Sequence, residues 1–146
     1  MYEDRISEAV KLHAKGFNCA QSVVAAFADL FGFTKEQALR LSASFGGGIG
    51  RMRETCGAAC GMFILLGMLN GSTDCKDSKG KVANYSSVRE LAAKFKEENG
   101  AMLCRELLGL DENEKPIAGH KKRPCSLMVE TAARIFADYL EKHPNP

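Results

Sequence analysis

The segment CGAACGMFILLGMLN, Cys56 to Asn70, is apolar on nearly every side. A helix without a polar face cannot lie on a protein surface, so this one belongs at the centre of a domain with other elements packed round it. Gly57 and Gly61 stand four apart on one face of that helix, where missing side chains let another backbone come close. Tight helix packing is the expected use of the pair. Thr55, just ahead of the segment, reads as its N-cap.

The surrounding chain reads as more helix. In Tyr2 to Lys15, Ile6, Ala9, Val10 and His13 share one stripe, and Gly16 stops the run. Asn18 caps a helix from Cys19 to about Leu30 that turns Ala20, Val23, Val24 and Phe27 inward. Thr34 and Gln37 form a capping box that opens a third helix, ending near Ser44. The string FGGGIG, Phe45 to Gly50, breaks the pattern. Asn70 to Val82 is polar and reads as a loop. Ser87 and Glu90 form a second capping box, ahead of the stripe Val88, Leu91, Ala92 and Phe95. Asn99-Gly100 ends or kinks that helix, and Cys104 to Leu108 continues or restarts it. Leu110 to Arg123 is a charged surface loop. Pro124 suits the first turn of a last helix that points Leu127, Met128, Ala132, Ile135, Phe136 and Tyr139 inward and stops before Pro144. No segment reads as a strand. The fold expected is all-α: one compact domain over residues 1–146, a bundle of about five to seven helices.

Composition narrows the function classes. A chain of 146 residues buries roughly two thirds of its unfolded surface and folds without disulfides. The net charge of +2 and the scattered basic residues give no case for nucleic acid or an anionic membrane. The one dense cluster, His120 to Arg123, reads as a solvated loop. The longest apolar run, Met62 to Leu69, is far short of the roughly 20 residues that span a bilayer. The charged start, Met1 to Arg5, has no apolar stretch behind it, so no secretory leader is read and a cytoplasmic location is expected. In that reducing compartment, the six cysteines read as free thiols, metal ligands or redox groups rather than structural bridges.

Their placement is informative. Cys19 follows Asn18, Cys56 follows Thr55 and Cys125 follows Pro124. All three stand at expected helix starts, where unpaired backbone N–H groups and the positive end of the helix dipole favour an anion. The thiolate is such an anion and is the form that attacks disulfides and binds metals, so these pKa values should fall. There is no CxxC pair and no CxxCH, which removes thioredoxin-type, zinc-ribbon and c-type haem spacings. Cys60 reads as a core residue and Cys75 as an incidental loop cysteine.

The string GGGIGRMRETCGAACG, Gly46 to Gly61, resembles the signature of a redox-active protein family named for its C_GCAxxG_C_C cysteine pattern. The first cysteine of that pattern is Cys19, within FNCAQSV. The motif is Cys56-Gly57-Ala58-Ala59-Cys60-Gly61. Cys104, within LCRELLG, and Cys125 follow. The resemblance spans roughly residues 16 to 135. It implies a redox role, with Cys19, Cys56, Cys104 and Cys125 as the site.

Three functions compete. In the first, Cys56 is the nucleophile or electron-transfer thiol, and Cys19, Cys104 or Cys125 resolves it as a disulfide, with a redox protein or a small thiol or disulfide as partner. Arg51 and Arg53 are candidates to hold the thiolate charge. In the second, the same four cysteines ligate an iron–sulfur cluster or another metal. In the third, the chain is a helical interaction module with inert cysteines. A minor candidate is an anion or nucleotide cofactor at Gly46, Gly47, Gly48 and Arg51, since glycine-rich loops ahead of helices cradle phosphate. The loop has neither GxxxxGK[ST] nor GxGxxG after a strand. His13 reads as a packed boundary histidine.

Overall fold

The computed structural model describes residues 1–144, which form seven α-helices: α1 (Glu3–Lys15), α2 (Cys19–Phe27), α3 (Lys35–Ser42), α4 (Gly57–Asn70), α5 (Ser78–Asn99), α6 (Cys104–Leu108) and α7 (Cys125–Lys142). Short 3-10 turns, Ala28–Phe31 and Ala43–Phe45, extend α2 and α3. No strand occurs among the described residues. The only ladder-type contacts there are two isolated bridges, Thr55 with Leu103 and Leu110 with Pro116.

The apolar α4 is the central element, as its sequence requires, and packs against α2, α5 and α7. Gly57 and Gly61 are the seam with α2. A Cβ on Gly57 would stand 2.8 Å from the Phe45 carbonyl oxygen, and one on Gly61 would stand 3.0 Å from that of Ala20. Neither backbone atom can move aside cheaply, so a side chain at Gly61 would push α4 off α2 and one at Gly57 would push it off the Ala43–Phe45 turn. Phe27 of α2 meets Phe136 of α7 edge to face at 5.1 Å, both fully buried. Truncating either to alanine removes about 3–5 kcal/mol of packing.

Helix boundaries follow local chemistry. Asn18 with Gln21 and Thr34 with Gln37 both form complete capping boxes. Gly16 and Gly100 close α1 and α5 in the left-handed conformation. Four expectations need correction. Thr55 does not cap α4, because it pairs with Leu103, and Cys56 takes the N-cap position with no side-chain cap. Ser87 and Glu90 do not open a helix. α5 begins at Ser78, capped by the Asp77 carboxylate accepting from the Gly80 N–H at 2.8 Å, so the polar stretch 70–82 is loop only in its first half. Ser87 lies mid-helix and donates to the Asn84 carbonyl. Those first turns of α5 are largely exposed and carry no apolar stripe, which hid them from a periodicity argument. Leu127 faces outward at 36% exposure, while Met128, Ala132, Ile135, Phe136 and Tyr139 are buried.

Candidate functional site

Three local structures converge on one cavity. The first is the corner between α1 and α2. Gly16 turns the chain, Phe17 N–H donates to Leu12 O at 3.3 Å, and the Asn18 cap starts α2. Cys19 is therefore the first residue of α2, and its Sγ lies 3.9 Å from His13 Nε2 in the last turn of α1.

The second is the bridge of Thr55 with Leu103. Cys56 N–H donates to Met102 O at 2.8 Å, and Cys104 N–H donates to Glu54 O at 2.6 Å. Side chains alternate between the faces of extended backbone, so Cys56 and Cys104 both project to the side opposite Thr55 and Leu103. The glycine loop floors this side. A Cβ on Gly48, whose φ is +73°, would stand 2.6 Å from the Cys104 Cβ. Only glycine tolerates both the angle and the approach.

The third is the start of α7. Arg123 N–H donates to Leu107 O at 3.1 Å, and its guanidinium donates to Asn99 Oδ1 at 2.9 Å. These bonds fix the strand of chain that delivers Cys125 as the first residue of α7.

Cys19, Cys56, Cys104 and Cys125 all line this cavity of about 330 Å³, together with His13, Gly47, Gly48 and Arg53. The thiols are free. Cys19 and Cys125 are half-buried, while Cys56 and Cys104 are buried. Cys60 and Cys75 stand apart from the cavity. Cys60 is buried with Sγ 3.8 Å from Thr55 O, and Cys75 is exposed.

The thiols differ sharply in electrostatics. Cys125 is brought down to about 6, first by the hydrogen bond it accepts from Cys19 and further by the charges of Lys122 and Arg53, against its partial burial. Cys19 is raised well above the usual thiol range, because it is the donor to Cys125 and is itself largely desolvated. Cys125, the less buried of the two and the one with Lys122 and Arg53 nearby, is the thiol favoured to ionise. Burial pushes Cys56 up to about 11, although the Ala59 and Ala58 N–H groups point toward its sulfur. Burial likewise pushes Cys60 up to about 11. The value falls at only one of the three helix-start cysteines, Cys125, and there through Cys19 and two cations rather than through the helix start. At Cys56 desolvation outweighs the two amides, and at Cys19 the bond to Cys125 reverses the sign.

Of the two arginines ahead of the motif, Arg53 reaches the site. One guanidinium nitrogen lies 3.7 Å from Cys104 Sγ, and Nε donates to Glu114 at 2.9 Å. Arg51 is exposed and lies outside the cavity. Gly46 abuts Asn18, while Gly47 and Gly48 line the cavity. The N–H groups of Ile49 to Glu54 all donate to carbonyls within residues 44–49, so those amides are not turned outward as a phosphate cradle needs. Among the described residues, no group of three or more His, Cys, Asp or Glu side chains is disposed to hold a metal ion. No described helix is long and apolar enough to cross a membrane.

Sequence reasoning passed over His13 and Lys122. His13 was visible as the residue six before Cys19, but the α1–α2 turn that folds it back is a tertiary fact. Lys122 sat in a cluster that reads as solvated loop.

No curated protein and no solved structure matches the chain. The family described as "Putative redox-active protein (C_GCAxxG_C_C)" matches residues 17–139, a span that holds all four cavity cysteines. The cysteine order and the glycine motif are thus the marks of descent as well as the lining of the cavity, and the chain belongs to the C_GCAxxG_C_C family.

Proposed function

We propose that the protein performs thiol–disulfide exchange, with Cys125 as the attacking thiolate and Cys19 as the resolving thiol. The observation that supports this most directly is that Cys19 and Cys125 line one cavity, where Cys19 and the cations Lys122 and Arg53 bring the Cys125 thiol down. An attacking thiol is most effective when its pKa lies near the ambient pH, and about 6 meets that condition.

Cys125 S⁻ attacks one sulfur of a disulfide RS–SR′, forms Cys125–S–S–R and expels R′S⁻. Cys19 then loses its proton, attacks the Cys125 sulfur and expels RS⁻. The bond formed is Cys19–Cys125 and the bonds broken are the two to R and R′. The protein loses two electrons and the substrate gains them, and the reverse sequence reduces the protein. Cys56, high in pKa and buried, is a poor first attacker by the same criterion, so the nucleophile role first assigned to it passes to Cys125.

The test is to equilibrate the reduced chain with glutathione disulfide and map the product by mass spectrometry. The expected product links Cys19 to Cys125. Alkylation of Cys125 should titrate with a midpoint near 6. A Cys125 that alkylates at neutral pH no faster than exposed Cys75 would end this reading.

A further inference from the structure

Resolution of the mixed disulfide meets an electrostatic obstacle. In the resting protein, Cys19 gives its hydrogen to the Cys125 thiolate. Once Cys125 is bonded to substrate sulfur, that thiolate no longer exists and the acceptor is gone. Cys19 must still lose its proton to attack. Its immediate surroundings hold one group suited to take it: His13 Nε2, 3.9 Å from Cys19 Sγ and on the wall of the same cavity.

We propose that His13 is the proton acceptor for Cys19 in the resolving step, an inference that rests on the exchange chemistry assigned to Cys125 and Cys19. The backbone sets up the transfer. His13 sits in the last turn of the thirteen-residue α1. Cys19 is the first residue of the nine-residue α2, where the positive end of the dipole favours a thiolate. Gly16 and Asn18 fold these two helix ends against each other, which brings His13 Nε2 to the Cys19 sulfur. The other titratable and charged groups on the cavity wall are Cys56, Cys104, Cys125 and Arg53. None of them is a base free to take the proton. Cys125 is consumed, Cys56 and Cys104 are buried thiols, Cys104 being engaged by Arg53, and Arg53 is a cation that also pairs with Glu114.

With its proton on Nδ1, His13 accepts the Cys19 proton at Nε2. Cys19 S⁻ then forms the bond to Cys125 Sγ, and the electron pair of the Cys125–SR bond leaves on RS⁻. The proton on His13 returns to RS⁻ or to solvent. His13 is unchanged over the cycle, and the disulfide substrate is the oxidant.

A chromogenic aryl disulfide separates the two steps, because each releases one aryl thiolate. In the full chain with Cys75→Ser, which removes the exposed thiol from the signal, the reduced protein should release aryl thiolate in two phases. His13→Gln should leave the first phase unchanged and slow the second by about tenfold or more. Added imidazole should restore the second phase in His13→Ala. An unaltered second phase in His13→Gln overturns the proposal. Equal slowing of both phases, or no rescue by imidazole, assigns His13 a packing role and also overturns it. If the His13-intact protein shows no second phase and forms no Cys19–Cys125 bond, the exchange reading falls and this inference falls with it. Failure of the His13 role alone leaves that bond forming.

Discussion

Cys125 and Cys56 stand at the N-termini of α7 and α4, and they line one cavity. A helix-dipole argument treats them alike. Yet one thiol lies near 6 and the other near 11. Cys56 even has the better backbone environment, with two α4 amides aimed at its sulfur. The difference lies elsewhere. Cys125 is half-exposed, accepts a hydrogen bond from Cys19 and has two cations nearby. Cys56 is 5% exposed and has no thiol donor. A helix start offers a modest bias, and burial and one hydrogen bond decide which thiol ionises.

The largest effect should come from removing that bond. Cys19→Ala deletes the first cause of the low value at Cys125, so its titration midpoint should climb toward the ordinary thiol range. Each unit of rise cuts the thiolate share by up to about tenfold once the midpoint passes the working pH. Ultraviolet thiolate absorbance against pH reads this directly. Cys19→Ser, which keeps a hydroxyl donor, should hold part of the depression. Cys56 should scarcely move in either variant. An unchanged Cys125 in Cys19→Ala would mean that exposure alone separates the two helix starts.

The second effect appears in stability against pH, with opposite signs at the two sites. Cys125 has its folded value below the ordinary thiol value of 9.0. Between about pH 6 and 9, the unfolded chain binds a proton there that the folded chain does not. Stability from this group is complete above 9 and is lost as pH falls through 6. Cys56 has its folded value above 9.0. Its contribution is complete below 9 and is lost as pH rises through 11. Urea unfolding of the reduced protein should therefore show the gap between native and Cys125→Ser widening from pH 6 to 9. The gap for Cys56→Ser should stay flat over that range and change only above it. Matching slopes would remove the distinction.

The contrast also explains what could be read from the chain. The central helix, the Asn18 and Thr34 caps and the Gly57–Gly61 seam were legible because each is a local rule written in adjacent residues. The four cavity cysteines were legible through their order round the glycine motif. Which thiol ionises was not. It depends on Cys19 meeting Cys125 across more than a hundred positions of sequence, and on Thr55 pairing with Leu103 to bury Cys56 beside Cys104. His13 was missed for a related reason: an apolar stripe and a cavity wall look identical until the α1–α2 corner closes. The start of α5 was missed because exposed helical turns carry no periodic signal.

The smallest effect tests the field around Cys125 rather than its contact. Lys122 lowers Cys125 through charge alone, after the Cys19 bond. It is exposed, so ions screen it, over about 10 Å at moderate salt. Lys122→Met should raise the Cys125 midpoint by less than Cys19→Ala does. The shift should shrink as salt is added, while the shift caused by Cys19→Ala should persist. Lys122 is not among the larger influences on Cys56, which should respond far less. The salt series therefore separates the two contributions at one sulfur. If Lys122→Met moved Cys125 as far as Cys19→Ala, the surface field would be holding the thiolate. Any cysteine delivered to that rim would then ionise, whether or not a second thiol stood beside it.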